Sequence, residues 1–229
     1  MTLLLYALAP VAVIIFYIRL KDKYEKEPKR LMLYCFLLGG IVSIIITTIL
    51  YMFFDLFLPL NDEFSVFQQF VKAFFVVALI EEFSKYIIVR YYAQTKRAFN
   101  EQFDGIVYAV MVSMGFAAVE NIFYVAEGGA TTALLRAFTA VPAHATFGIL
   151  MGYYMGKAKF SNNSIKLNLT GLLLAIAFHG AYDFFLFIDF IPGLSIGAFI
   201  SLILGIILSR KAIKSHQKNS VFKTDKTLR

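Results

Sequence analysis

Charged residues and cysteine are both scarce in this sequence. Only 16% of the 229 residues are charged, whereas 59% are hydrophobic, a balance far more apolar than that of a soluble domain of this length. The single cysteine, Cys35, excludes an intrachain disulfide and a thiolate metal cluster. The composition therefore predicts an integral membrane protein that lies in the lipid bilayer.

The chain contains long apolar runs that are separated by short polar connections. The formal net charge is +7, but lysine and arginine cluster between the runs and not along one amphipathic face, which argues against a nucleic-acid partner. We expect an all-α protein with a single bundle of about seven transmembrane helices. The predicted spans lie at 2–20, 31–58, 66–89, 103–126, 133–156, 169–190 and 193–209.

Basic residues occur in alternate connections. The stretches "KDKYEKEPKR", "RYYAQTKR", "KAKFSNNSIK" and "RKAIKSHQK" are basic, whereas "LPLNDEF", "EGGATT" and "FIPG" contain no lysine or arginine. By the positive-inside rule, this alternation predicts an amino terminus outside and a carboxyl terminus in the cytoplasm. We therefore predict one polytopic transmembrane domain at 1–209 and a basic cytoplasmic tail at 210–229.

Polar residues interrupt several predicted spans. The third span alone carries Glu81, Glu82 and Lys85, whose insertion costs roughly 8 to 10 kcal/mol against about 6 kcal/mol gained from the large apolar residues of that span. The span needs partners on other helices, because ionisable groups within a bilayer face the bundle interior and pair with one another. Further polar residues in the predicted spans are Glu120, Asn121, His144, His179 and Asp183.

Helical spacing predicts which of these side chains meet. Lys85 lies three residues after Glu82 and four after Glu81, so it can neutralise one carboxylate and leave the other free. His179 and Asp183 are four residues apart, a spacing at which a carboxylate can orient an imidazole. Small residues share a helical stripe with each histidine of the spans, which places both imidazoles towards the bundle interior. They are Gly148, Gly152 and Gly156 for His144, and Gly171 and Ala175 for His179.

Carboxylates, imidazoles and an amide within a helical bundle suit more than one function. They suit water-dependent peptide hydrolysis, in which a carboxylate acts as general base and histidine or asparagine donors stabilise the oxyanion. They also suit a proton-coupled or cation transporter, with the same groups as relay sites. A third interpretation is a non-catalytic scaffold that binds a partner helix through its glycine stripes. Residue types alone leave these alternatives open.

Four motifs of this sequence resemble those of the PrsW family. They are "EEFSK" at 81–85, "FDGIVYAVMVSMGFAAVENIFY" at 103–124, "HATFGILMGYYMGKAKF" at 144–160 and "HGAYDF" at 179–184. The early loop "LKDKYEKEP" at 20–28 resembles that family as well. The resemblance covers nearly the whole chain, except the last span and the tail.

The resemblance implies a multi-pass protease of the bacterial plasma membrane. Proteases of this kind make the first, outside-facing cut in a single-pass membrane anti-sigma factor, and a sigma factor is then released. The resemblance and the spacing together give the candidate site residues. The catalytic candidates are Glu81, Glu82, Glu120, His144, His179 and Asp183, and the supporting candidates are Lys85 and Asn121.

The PrsW family is also distantly similar to the type II CAAX prenyl proteases, in which a glutamate activates water and a histidine and an asparagine form the oxyanion hole. By motif, Glu120 and Asp183 stand where that group has a histidine and an asparagine. His144 and His179, with Glu120 or Asp183, could bind Zn²⁺ and leave a position open for water. The spacing HExxH is absent, however. Whether Glu81 or Glu82 activates free or metal-bound water therefore stays open.

Overall fold

Most residues that the structure describes are helical. This computed structural model describes residues 2–223, and residues 224–229 of the predicted tail lie outside them. The prediction of an all-α protein is confirmed for the described residues. The α-helices are α1 Thr2–Lys21, α2 Lys29–Leu38, α3 Ile44–Phe57, α4 Val66–Val71, α5 Leu79–Tyr91, α6 Gln102–Phe138, α7 Ala140–Lys159, α8 Ser164–Phe187 and α9 Ile196–Lys218.

Five helical stretches of the described chain are long and apolar enough to cross a membrane. They are Thr2–Lys21, Lys29–Phe57, Gln102–Lys159, Ser164–Phe187 and Ile196–Lys218. The predicted third span, 66–89, is not among them, because it carries four charged residues, Lys72, Glu81, Glu82 and Lys85. Two other predicted spans lie together within Gln102–Lys159. The expected count of seven spans and the predicted orientation therefore stay predictions.

The stretch Gln102–Lys159 is not one straight rod. Gly129 breaks it with φ 68° and ψ −157°, backbone angles that favour glycine. Arg136 then bonds Glu120, 16 residues earlier in the chain, and that contact requires the chain to turn back. We call the two parts of α6 its long arm, 102–128, and its short arm, 130–138.

Two π-helical segments interrupt the regular helices. The first π segment, Gly39–Ser43, joins α2 to α3, and the second π segment, Lys72–Ala78, joins α4 to α5. Each one shifts the direction in which the following side chains point, and such bulges are frequent at functional sites. The second segment ends three residues before Glu81, at the start of the helix that carries the two adjacent glutamates.

The long arm of α6 lies at the centre of the bundle. All residues from Phe103 to Ala118 are buried, and α1, α2 and α7 pack around them. Gly152 of α7 lies so close to the backbone of Gly105 that a side chain there would overlap it. The close helix approach predicted from the glycine stripe of α7 is therefore confirmed, and it brings His144 on that stripe towards the centre.

Several predicted cytoplasmic connections lie together at one end of the bundle. Asn100 Nδ2 donates to Glu25 Oε1 at 3.1 Å, and Gln217 Nε2 donates to Lys21 O at 2.5 Å. Helix α9 continues to Lys218 and so runs through the predicted domain boundary at 209. The division into a transmembrane domain and a tail stays a prediction.

Candidate active site

Helix α5 brings three charged side chains into the protein interior. Glu81, Glu82 and Lys85 are only 5%, 0% and 2% exposed. Lys85 Nζ lies 2.7 Å from Glu82 Oε1 and 3.4 Å from Glu81 Oε2. The predicted pairing is confirmed, and Glu82 is the nearer partner. The ammonium offsets part of the cost of burying the two carboxylates.

His179, on α8, is held between two carboxylates. Its Nδ1 lies 2.8 Å from Glu82 Oε1, and its Nε2 lies 3.2 Å from Asp183 Oδ2. The predicted contact with Asp183 is present, but Glu82 makes the shorter one. The ring can donate to both carboxylates only when each nitrogen carries a proton. Phe147 stacks on the imidazole, with centroids 4.7 Å apart and planes inclined by 16°, and this contact fixes the plane of the ring.

His144, on α7, lies between a glutamate and a lysine. Its Nε2 is 2.8 Å from Glu120 Oε2, and its Nδ1 is 3.4 Å from Lys85 Nζ. Because an ammonium group can only donate, Nδ1 is the acceptor and Nε2 carries the proton that Glu120 accepts. The rings of His144 and His179 have centroids 5.4 Å apart. The two imidazoles are therefore neighbours that are held by different partners.

Arg136, on the short arm of α6, is a charged residue that the sequence patterns did not single out. Its Nη2 donates to Glu120 Oε2 at 2.8 Å, and its Nε donates to Asn121 Oδ1 at 2.7 Å. Asn121 donates in turn to Ala7 O of α1 at 2.7 Å, so its amide bridges α1 and the short arm. The sequence did contain a signal for Arg136, because this arginine is a charged residue inside the fifth predicted span.

Tyr51, on α3, is a second residue that the sequence patterns did not single out. Its hydroxyl donates to Glu81 Oε1 at 2.8 Å. Ser43 and Thr47, two turns and one turn earlier, bond the Ser84 hydroxyl of α5 at 2.5 Å and 3.0 Å. Hydroxyl residues at four-residue spacing in an otherwise apolar helix are the signal that could have found Tyr51.

A cavity of about 630 Å³ opens beside these side chains. Glu82 and Lys85 do not line it, whereas Glu81 does, so the two adjacent glutamates differ in their access to the cavity. The six predicted catalytic residues lie together around this place, and their roles in a reaction stay predictions. Besides Tyr51 and Arg136, the polar lining includes five of those six, namely Glu81, Glu120, His144, His179 and Asp183.

The side chains of the site fit a zinc-type ion. Carboxylates and imidazoles are ligands that Zn²⁺ takes in proteins, and the buried Glu82 Oε2 has no hydrogen-bond partner among the described residues. Glu120, an acidic ligand expected from the sequence, is not in the group that fits; it bonds His144 and Arg136 instead. Four residues each offer a ligand atom, all within 4.8 Å of one another: Glu81, Glu82, His144 and His179.

The sequence matches known proteins over most of its length. The model of the family described as "PrsW family intramembrane metalloprotease" matches residues 27–209. The "Protease PrsW" of Oceanobacillus iheyensis is 41% identical over 187 residues, which cover 81% of this chain and 83% of that protein. The "Protease PrsW" of Geobacillus kaustophilus is 39% identical over 179 residues, with 78% and 76% covered. The protein of the same name from Bacillus subtilis is 35% identical over 181 residues, with 78% and 80% covered. No solved structure shows a significant match.

Proposed function

Because the chain belongs to the PrsW family of intramembrane metalloproteases, we propose that it makes the first, outside-facing cut in a single-pass membrane anti-sigma factor. The chain is a multi-pass bacterial membrane protein and a peptide hydrolase. The anti-sigma factor substrate and the outer side of the cut come from the resemblance of the four motifs. The geometry of the site supports the chemistry that such a cut requires.

This proposal rests on one observation, namely that the two adjacent glutamates differ in their access to the cavity. Glu81 lines the cavity, whereas Glu82 is fully buried and bonded to Lys85 and His179. We assign Glu81 as the general base, which takes a proton from water as the water oxygen attacks the scissile carbonyl. The Tyr51 hydroxyl holds Glu81 Oε1, and Oε2, which Lys85 Nζ contacts at 3.4 Å, accepts that proton.

His179 is the proton donor in this mechanism. Its Nε2 lies 4.0 Å from Glu81 Oε2, so a single water can donate to the carboxylate and accept from the imidazole. With substrate bound, the Nε2 proton turns from Asp183 Oδ2 to the developing oxyanion, and it passes to the leaving amine when the carbon–nitrogen bond breaks. The proton that Glu81 took from water then returns to His179, which restores both groups. Glu82 at Nδ1 holds the ring in place and offsets its positive charge.

In the alternative version of this mechanism, in which the attacking water is metal-bound, three residues of the site would hold the ion, Glu81 would keep its role as base, and His179 would be a ligand and not the proton donor. The three residues are Glu82, His144 and His179, all members of the group whose ligand atoms approach one another. A bound Zn²⁺ supplies Lewis acidity, which lowers the pKa of water and polarises a carbonyl. Lys85 Nζ contacts Glu82 and His144, so ion binding would require the ammonium to leave those contacts.

Metal binding can be measured without an activity assay. Elemental analysis of the purified protein should give about one Zn²⁺ per chain at saturation, and the variants His144→Ala and His179→Ala should hold much less. Glu127→Gln, an exposed acid on the same long arm of α6 as Glu120, is the matched control. Equal zinc content in all four proteins would overturn the assignment of these ligands.

The same proposal includes seven membrane passages, with the amino terminus outside and the carboxyl terminus in the cytoplasm. Within the stretch 66–91, Lys85 contacts both Glu81 and Glu82, and such pairing lowers the cost of a charged span. The fold at Gly129 supports two passages within Gln102–Lys159. Labelling of single cysteines placed at 61–64 and 160–163 in intact cells tests the orientation: only the first group should react with a reagent that cannot cross the membrane.

Cleavage in a defined membrane tests the proposed substrate class. The purified protein is placed in vesicles with candidate single-pass anti-sigma factors, and the products are identified by mass spectrometry. We expect one cut on the outer side with the wild type and with the control Glu127→Gln, and none with Glu81→Gln. Wild-type rates with Glu81→Gln would overturn the mechanism. Ion flux that is lost in Glu120→Gln, without cleavage of any candidate, would favour the transporter.

A further inference from the structure

The end of α2 and the first π segment approach α6 closely through glycines. A side chain at Gly39 would overlap the backbone of Val112, and a side chain at Gly115 would overlap the backbone of Phe36. Such contact needs residues without side chains, because only they let two helix backbones approach so closely. The first π segment also packs on α6 there. We call this contact the apex, and α3 and the long arm of α6 continue from it.

Beyond the apex the two helices separate. Helix α3 packs mainly on α5 and on the two π segments, and Thr47 is its only buried residue. We call the space between α3 and the outer part of the long arm, 116–128, the fork. Thr48 on one side and Phe123 and Tyr124 on the other line the cavity and are also exposed, with Phe123 at 62% and Tyr124 at 49%. The fork is therefore the lateral mouth of the cavity.

The depth and the lining of the fork determine what can enter it. Glu81, at its inner end, is only 5% exposed, so a peptide bond must move well into the bundle to reach the carboxylate. Unwound backbone is tolerated at membrane depth only where protein encloses it or water reaches it. The cavity meets this condition, because Tyr51 and Arg136 supply polar groups beside the apolar side chains of Ile44 and Phe123.

We propose that the fork is the docking surface for the transmembrane segment of the substrate. A single apolar helix lies between α3 and the long arm of α6, and its unwound end passes Tyr51 to reach Glu81. The surface is continuous with the candidate active site, since one cavity contains both. This inference rests on the proposed function for the class of substrate, and it adds the side from which that substrate enters.

A second groove on the molecule provides a matched control. It has a volume of about 280 Å³ and is lined by apolar residues of α1, α7 and α9, among them Val13 and Ile149. Val13 is 65% exposed, comparable to Phe123. Neither Glu81 nor a histidine lines this groove. A bilayer component that merely prefers apolar grooves would therefore contact both the fork and this groove. A substrate would prefer the fork.

Site-specific photo-crosslinking tests the docking surface. A photoactivatable amino acid is placed at Thr48, Phe123 or Val13 in the Glu81→Gln variant, which should retain its substrate. Two probes are used in vesicles: an anti-sigma factor that the wild type cleaves, and a synthetic transmembrane peptide of alternating leucine and alanine. We expect at least tenfold more adduct from Thr48 and Phe123 than from Val13, and adducts of the natural substrate close to its scissile bond.

The outcomes separate this inference from the proposed function. If no anti-sigma factor is cleaved but the synthetic peptide still crosslinks at Thr48 and Phe123 and not at Val13, the docking surface stands and the proposed substrate is wrong. If the wild type cleaves the substrate but adducts form equally at all three positions, or only at Val13, the docking surface is wrong. Circular dichroism of each variant checks that the helices are intact.

Discussion

Two groups of buried acids lie at the two ends of the long arm of α6, and their charges are compensated in different ways. The site group, at the end of the long arm that carries Glu120, consists of Glu81, Glu82, Glu120 and Asp183. Lys85 and Arg136 compensate its charge, and every ion pair within 4.0 Å among residues 2–223 involves one of these four carboxylates. The loop group at the other end consists of Asp22, Glu27, Glu101 and Asp104, all at most 3% exposed.

In the loop group, a bound proton and not a nearby cation offsets part of the buried negative charge. Glu27 accepts the Tyr108 hydroxyl, and burial together with the charge of Asp104 raises the pKa of Glu27 to about 10. A protonated Glu27 can donate to Asp104 and fasten the loop before α2 to the start of α6. Acids that only hold structure can thus be neutral, whereas acids that act on water need to be accessible and able to ionise.

The strongest prediction concerns the acid that reaches the cavity. Glu81→Gln should lower kcat for peptide cleavage by about 10² to 10⁴ fold, the range for loss of a general base. The amide oxygen of glutamine can still accept from Tyr51, so folding should be retained. Initial rates in vesicles measure the effect, and Glu127→Gln serves as control. A rate within twofold of wild type would exclude Glu81 as the base.

The second prediction removes the central cation of the site group. Lys85→Met leaves Glu81 and Glu82 buried without their ammonium, and loss of one partner of a buried ion pair costs about 3 to 5 kcal/mol. Thermal unfolding in detergent should show a clear loss of stability. The double variant Lys85→Met with Glu82→Gln should regain part of it, because one buried charge is then also absent. An unchanged unfolding temperature in Lys85→Met would contradict this account.

Much of the site group could be predicted from the sequence, because its signal is local. The free-energy cost of placing charged side chains in a bilayer shows that charges within an apolar run need partners. Helical spacing then pairs Lys85 with Glu82 and Asp183 with His179. The glycine stripe of α7 predicted the close approach of another helix, and the contact of Gly152 with Gly105 of α6 is such an approach. These inferences need only the geometry of one helix.

The remaining features depend on how separate helices are placed. The bond between Glu82 and His179 joins residues 97 apart, and no local spacing predicts it. The two π segments change the direction of Tyr51 and Glu81 by an amount that a regular helical period does not give. The loop group was also missed, because Glu27 lies in a polar connection and Asp104 at the edge of a predicted span, two places where acids are ordinarily exposed.

The third prediction tests the proton of the loop group. The folded protein holds a proton on Glu27 that the unfolded chain releases near pH 4.5, so this group's contribution to stability falls as pH rises from about 4.5 to about 10. Between pH 7 and 9 we expect a loss of about 1 kcal/mol of unfolding free energy for each pH unit. Glu27→Gln, which imitates the protonated acid, should reduce that slope in thermal unfolding. An equal slope in both proteins would show that Glu27 is ionised when folded.

The smallest effect is expected from Tyr51, which touches the site from α3. Tyr51→Phe removes the hydroxyl that holds Glu81 Oε1, and a hydrogen bond to a charged group contributes about 1.5 to 3 kcal/mol. If part of that contribution orients the base, kcat should fall about tenfold while KM stays constant. Tyr91→Phe, at an exposed tyrosine of α5, is the control. A raised KM with constant kcat would instead make Tyr51 a binding residue of the fork, because the hydroxyl would then act on the substrate and not on Glu81.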